Sequence, residues 1–268
     1  MSVRSQGSTS LLGTSSALRE FWRLPSMTVA RFTLASYIRS GWILGDFVFV
    51  WLLYAIFFLE FGGNVAYFYG TAGQGLDVLA ILSTVVMVQR AMHARVYLPL
   101  SRMTSRSAYV RGLIIATAVL RIPFFLMLLG LAMLHHNFSP PPCTIGDCIQ
   151  GATFSNMLPG ALGLLVNCTV ISTLVVIFSA PLATRGARIL LFAWFAAVLY
   201  SNTSPGPVAS VLGIARLPLL PLTIRYSFGT TQSIDWSGIA ALAMSIVYIV
   251  GLTLLGEYWL RKRDLLLQ

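Results

Sequence analysis

Residues 113–134 read LIIATAVLRIPFFLMLLGLAML. At 1.5 Å per residue this stretch makes a helix of about 33 Å, enough to cross roughly 30 Å of hydrocarbon. Its only charge is Arg121. Such a helix has no polar face to turn toward water, so it predicts a membrane span. The rest of the chain agrees: of 268 residues 57% are hydrophobic and 10% charged, with a mean hydropathy of +0.80. Soluble domains carry about 25% charged residues. This composition cannot cover a soluble surface and points to an all-α integral membrane protein.

Working outward, six segments are long and apolar enough to span: Gly41–Glu60, Leu76–Met92, Leu113–Leu134, Leu158–Ala180, Arg188–Asn202 and Ser237–Trp259. The fifth is the shortest. Ahead of them, residues 1–25 are rich in Ser, Gly and Thr near the start and predict a flexible tail, leaving 26–268 as the membrane domain. No short apolar run with a small-residue cleavage site precedes span 1, which is expected to act as its own targeting signal.

The net charge is +10, and the eighteen basic residues are seventeen Arg and Lys262. Arg4, Arg19, Arg23, Arg31 and Arg39 precede span 1; Arg90, Arg95, Arg102, Arg106 and Arg111 lie between spans 2 and 3. Arg185 and Arg188 separate spans 4 and 5, and Arg261, Lys262 and Arg263 follow span 6. With six spans these fifteen fall on one side, while Phe61–Gly75 and His135–Met157 hold no Lys or Arg. The positive-inside bias then places both termini in the cytoplasm. The excess Arg is an orientation signal, and no basic stripe on a soluble domain suggests nucleic acid. Thr203–Asp235 carries Arg216, Arg225 and four prolines in an apolar background, which fits a re-entrant or interfacial hairpin between spans 5 and 6 better than a seventh span.

Ser26–Ser40 predicts an amphipathic interfacial helix, with Ser26 as N-cap and Met27, Ala30, Leu34 and Ile38 on its apolar face. Asp46 in span 1 and Arg121 in span 3 are candidates for an intramembrane charge pair, which would brace the bundle, contact a substrate or act as a gating latch. Asp77 lies near the outer start of span 2. Cys143 and Cys148 share the second outer loop, where an oxidising exterior would allow a disulfide; a metal site using His135 and His136 is chemically conceivable, but nothing fixes its ligands. Cys168 is expected to be a packing residue, and Gly160 and Gly163 are expected to let helices approach closely. The loop 90–112 mixes Val96, Leu98, Leu100 and Tyr109 with regularly spaced Arg. It is either a plain positive-inside loop or a short helix that docks on another protein.

The run Leu98-Pro-Leu-Ser-Arg102, followed by Tyr109-Val-Arg-Gly112 opening a span, resembles the ABC type-2 permeases, the membrane subunits of bacterial ABC exporters. An amphipathic helix before span 1, six spans and an apolar Pro-rich hairpin late in the chain extend the resemblance over most of its length. It implies a subunit of the bacterial plasma membrane that dimerises, as a homodimer or heterodimer. It also implies that Leu98, Pro99, Leu100, Arg102 and Arg106 belong to a coupling loop seated on a separate cytoplasmic ATPase. ATP and Mg would then sit on that partner, with no cofactor on this chain, which has no G-x-x-x-x-G-K-[ST] motif of its own. The implied cargo is amphipathic, drug-like or lipid-linked. The rivals are a secondary carrier, for which Asp46 and Asp77 are the available carboxylates, and a non-transporting membrane scaffold.

Overall fold

The computed structural model describes residues 24–59, 65–91, 106–138, 154–179, 183, 185–190, 193 and 236–262. Six long helical elements account for nearly all of them, and no strand occurs among the described residues: α1 (Pro25–Arg39), α2 (Trp42–Tyr54), α3 (Val65–Ala91), α4 (Arg106–Phe138), α5 (Phe154–Ile177) and α6 (Trp236–Lys262). Four stretches are long and apolar enough to cross a membrane: Thr71–Ala91, Ser107–Leu134, Leu158–Ile177 and Gly238–Leu260. The bent pair α1–α2 adds a fifth if it is counted as one span. The protein is thus a multi-pass helical membrane protein. Predicted span 5 and the hairpin after it fall almost wholly outside the described residues.

The helices run longer than the apolar segments predicted. α3 begins at Val65, inside the predicted outer loop 61–75, and α4 begins at Arg106, taking Arg106 and Arg111 out of the predicted inner loop. Hydrophobicity marks where a helix meets hydrocarbon; the helix itself continues into the polar zone as long as its backbone bonds can form.

α3, α4 and α5 form the centre. α3 and α5 run parallel: Gly160 sits on the Tyr69 ring, Asn167 meets Asp77, and Ile177 joins Val88 and Ala91 in one apolar cluster. A methyl group at Gly160 would lie 2.5 Å from the Tyr69 ring, so the predicted close approach through this glycine is realised. α4 is antiparallel to both. α6 packs on α5 and α4 near its C-terminal end, where Gly256 meets Ile177 and Trp259 stands edge-on to Phe178 with ring centroids 5.8 Å apart. α3, α5 and α6 therefore all finish at one end of the bundle, where α4 starts. α1 starts there too, since Gly112 of α4 lies against Ser26 and Val29.

α1 departs from expectation in two ways. Its N-cap is Leu24 with Pro25 in the first turn, not Ser26; proline fits there because its missing N–H would have no partner. Its buried face is Val29, Ala30, Thr33 and Tyr37; of the predicted face Met27, Ala30, Leu34 and Ile38, Ala30 is buried and Leu34 packs half-buried against the core, while Ile38 turns outward. Ile38 is 52% exposed. α1 lies along the first half of α4, and the smaller side chains form the flatter face that fits beside Gly112, leaving bulkier Phe32 and Ile38 outside. Gly41, at φ +77°, then turns the chain through 75° into α2. That left-handed backbone favours glycine. α2 ends in a π-helical turn, Ala55–Leu59.

Candidate functional site

A polar layer crosses the middle of the bundle. Arg121 of α4 is 2% exposed and is held by α3. One terminal nitrogen donates to the Leu79 carbonyl at 3.4 Å and to the Ser83 hydroxyl, the other to the Ala80 carbonyl at 3.0 Å and to Thr84 Oγ1 at 2.9 Å. Its Nε has no partner among the described residues. Four neutral acceptors on two consecutive turns of one helix thus satisfy the guanidinium fork. Ser83 and Thr84 are the sequence signal for this arrangement, as hydroxyls otherwise unexplained in an apolar stretch.

Asp46 is also buried, but it and Arg121 do not form a direct ion pair. Asp46 Oδ2 accepts a 2.6 Å hydrogen bond from the Tyr37 hydroxyl, and its charge acts on Arg121 through space. The Tyr37 bond spans the Gly41 corner and fixes α1 to α2, while Ser40 donates to the Tyr37 carbonyl at 2.5 Å. A hydrogen bond to a charged group contributes about 1.5–3 kcal/mol. A Tyr37→Phe/Asp46→Asn double-mutant cycle in thermal denaturation is therefore expected to show coupling of about 1.5 kcal/mol, and an Asp46→Asn/Arg121→Gln cycle less. The reverse order would place Asp46 on Arg121. On the other side of the layer, Asn167 of α5 donates to Asp77 Oδ1 at 2.8 Å, with the Cys168 sulfur 3.8 Å from the same oxygen. Cys168 is buried, and its thiol faces this polar contact as well as the packing expected of it.

At the end of the bundle where α3 stops, a second set of contacts gathers on one turn of α4. The Tyr109 hydroxyl donates to the Ala91 carbonyl at 3.1 Å, pinning the last residue of α3 to the start of α4. Arg111 forms a bidentate pair with Glu257 of α6, with Nε at 2.5 Å from Oε1 and the terminal nitrogen at 3.1 Å from Oε2. The Glu257 side chain is 5% exposed and that of Arg111 55%. Sequence reasoning passed over Glu257 although it is the one acid inside the last apolar segment. Of the predicted loop residues, Leu98, Pro99, Leu100 and Arg102 lie outside the described residues, and Arg106 is the first residue of α4. Cys143 and Cys148 also lie outside them.

No protein-family model matches the chain, and no curated protein matches it either.

Proposed function

We propose that the chain is the transmembrane permease subunit of an ATP-driven ABC exporter of the bacterial plasma membrane, with six spans, both termini cytoplasmic, and a second permease copy and cytoplasmic ATPase subunits as partners. The observation that carries this reading is the Tyr109–Ala91 bond, which ties the end of α3 to the turn of α4 that holds α1 and α6. A protein docked on the segment between α3 and α4 would move three helices at once. The parallel run of α3, α5 and α6 is the pairing that a six-span chain requires. The gathering of Arg90, Arg106, Arg111 and the last turn of α6 at one end favours that end as the cytoplasmic one. Cargo is expected to be amphipathic, drug-like or lipid-linked, and ATP and Mg belong to the partner.

The test is co-purification with an ATPase encoded beside the chain. Leu98→Ala with Leu100→Ala is expected to abolish the complex, since truncating buried anchors costs about 2 kcal/mol or more. Arg102→Gln and Arg106→Gln are expected to weaken it less, and mainly at raised salt. An undiminished complex in the leucine double variant would overturn the reading. A secondary carrier would then lead, a reading favoured by the buried layer of Asp46, Arg121 and Asp77.

A further inference from the structure

The corner between α1 and α2 lies at mid-depth of the bundle. Near the start of α1, Ser26 and Val29 lie against Gly112 of α4, where the apolar run 113–134 begins. Just past the corner, Phe47 stands edge-on to Phe124 of α4 with ring centroids 5.0 Å apart. From Gly112 to Phe124 is about 18 Å of helix, against a hydrocarbon half-thickness of about 15 Å. α1 therefore descends from the edge of the apolar layer to its middle, and Arg39 in its last turn descends with it.

Two arginines at this level are treated in opposite ways. Arg121 is buried, and acceptors of α3 fill its fork. Arg39 lies 200° round α1 from buried Tyr37, is exposed, and has no acceptor among the described residues. A cation left in hydrocarbon is costly, and a charge kept at that depth marks a site that something polar meets. There is room beside it. A Cβ on Gly41 or Gly45 would have nothing within 4 Å, and Trp42 and Ile38 are each more than half exposed.

Negative charge could reach Arg39 from few sources. A soluble protein stops at the membrane face, and so do the headgroups of ordinary lipids. A second copy would have to offer a carboxylate. The described ones, Asp46, Asp77 and Glu257, each already accept a bond from a neighbouring helix of their own chain. The remaining source is a molecule that arrives through the membrane with a charged head on an apolar body. We propose that Arg39 binds the anionic group of such an amphiphile, whose oxygens accept from the guanidinium fork while Ile38 and Trp42 flank its apolar chain. This gives the cargo of the transport reading a negative charge and to that extent rests on that reading; the binding itself needs no ATPase.

The experiment uses the full chain in phosphatidylcholine nanodiscs, with radiolabelled dodecyl phosphate as probe and empty nanodiscs subtracted. Saturable binding of about one molecule per chain is expected. Arg39→Gln should weaken it about tenfold, and Arg90→Gln, at the exposed end of α3, should leave it unchanged. Dodecanol, with the same chain and no charge, should displace the probe only at concentrations about tenfold higher. Unchanged affinity in Arg39→Gln overturns the proposal, and so does displacement by dodecanol at equal concentration. Displacement by an equal concentration of inorganic phosphate overturns it as well, marking a site for a bare anion in water. Loss of a dimer in Arg39→Gln, read by mass photometry, would assign Arg39 to a second copy and count against the ligand. Should Arg39→Gln fail to fold, the wild-type chain decides through dodecyl phosphate against dodecanol. A missing ATPase complex leaves this binding in place, and missing binding leaves the ATPase complex in place, so the two readings fall separately.

Discussion

Arg111→Ala is expected to destabilise the detergent-solubilised protein by about 3 kcal/mol, and Glu257→Gln by about 1 kcal/mol, although the two residues form one ion pair. The asymmetry follows from exposure. Removing Arg111 leaves a carboxylate in a nearly closed site, where an unpaired charge costs most. Removing the charge of Glu257 leaves a guanidinium that is already half in solvent and can be hydrated there. Glu257→Gln also keeps an acceptor for one of the two bonds. Thermal denaturation of both variants and of the double variant checks this, with the double variant expected near Glu257→Gln rather than at the sum. Equal losses for the two single variants would mean that Glu257 is hydrated in the solubilised protein, and that the bond contributes only what a surface pair does.

A comparable loss is expected from Gly112→Val. A Cβ at this position would stand 2.5 Å from the backbone carbonyl oxygen of Ser26 and 2.6 Å from Val29 Cβ. The obstacle is backbone, which cannot rotate away as a side chain end could, so α1 must leave α4. Overpacking of this kind costs about 3 kcal/mol. The informative control lies on the same helix: Gly130 has nothing within 4 Å of its Cβ direction. Gly130→Ala should be neutral or stabilising by up to about 1 kcal/mol through helix propensity alone. Labelling of a cysteine placed at Thr33, buried on the inner face of α1, should rise sharply in Gly112→Val and stay low in Gly130→Ala. If both glycine variants behave alike, the crossing of α1 on α4 is looser than described.

The membrane class and four of the spans were legible because twenty apolar residues in a row have few other physical uses. The ends of α3 and α4 were not, since hydropathy falls off before the helix does. Arg121 was legible as a charge inside a span and therefore as a buried group in need of partners. Its actual partners were harder to foresee, because a guanidinium can be satisfied by carbonyls and hydroxyls of one neighbouring helix as well as by a carboxylate. Choosing Asp46 assumed that charge seeks charge. Tyr37, nine residues earlier and across a glycine corner, took that carboxylate instead. Glu257 was hidden by its surroundings: at the edge of an apolar segment one acid reads as a span end, and its partner lies 146 residues away. The packed face of α1 was legible only in part: Ala30 and Leu34 do pack on the core, but the close approach at Gly112 turns Val29 inward and leaves Ile38 outside.

The attachment of α6 has a mechanical consequence. Against the described residues only 12% of the apolar stretch within Gly238–Leu260 is buried; Ser245 and Gly238 are buried along its length, and the contacts are densest at Gly256, Glu257 and Leu260. A rod held more firmly near one tip than along its length amplifies rotation at that tip. From Glu257 to Gly238 the helix extends about 28 Å, so a tilt of about 10° around the Arg111 pair sweeps the far tip sideways by about 5 Å, roughly the spacing between neighbouring acyl chains. Rearranging a single hydrogen-bonded pair at one membrane face would in this way part the lipids at the other.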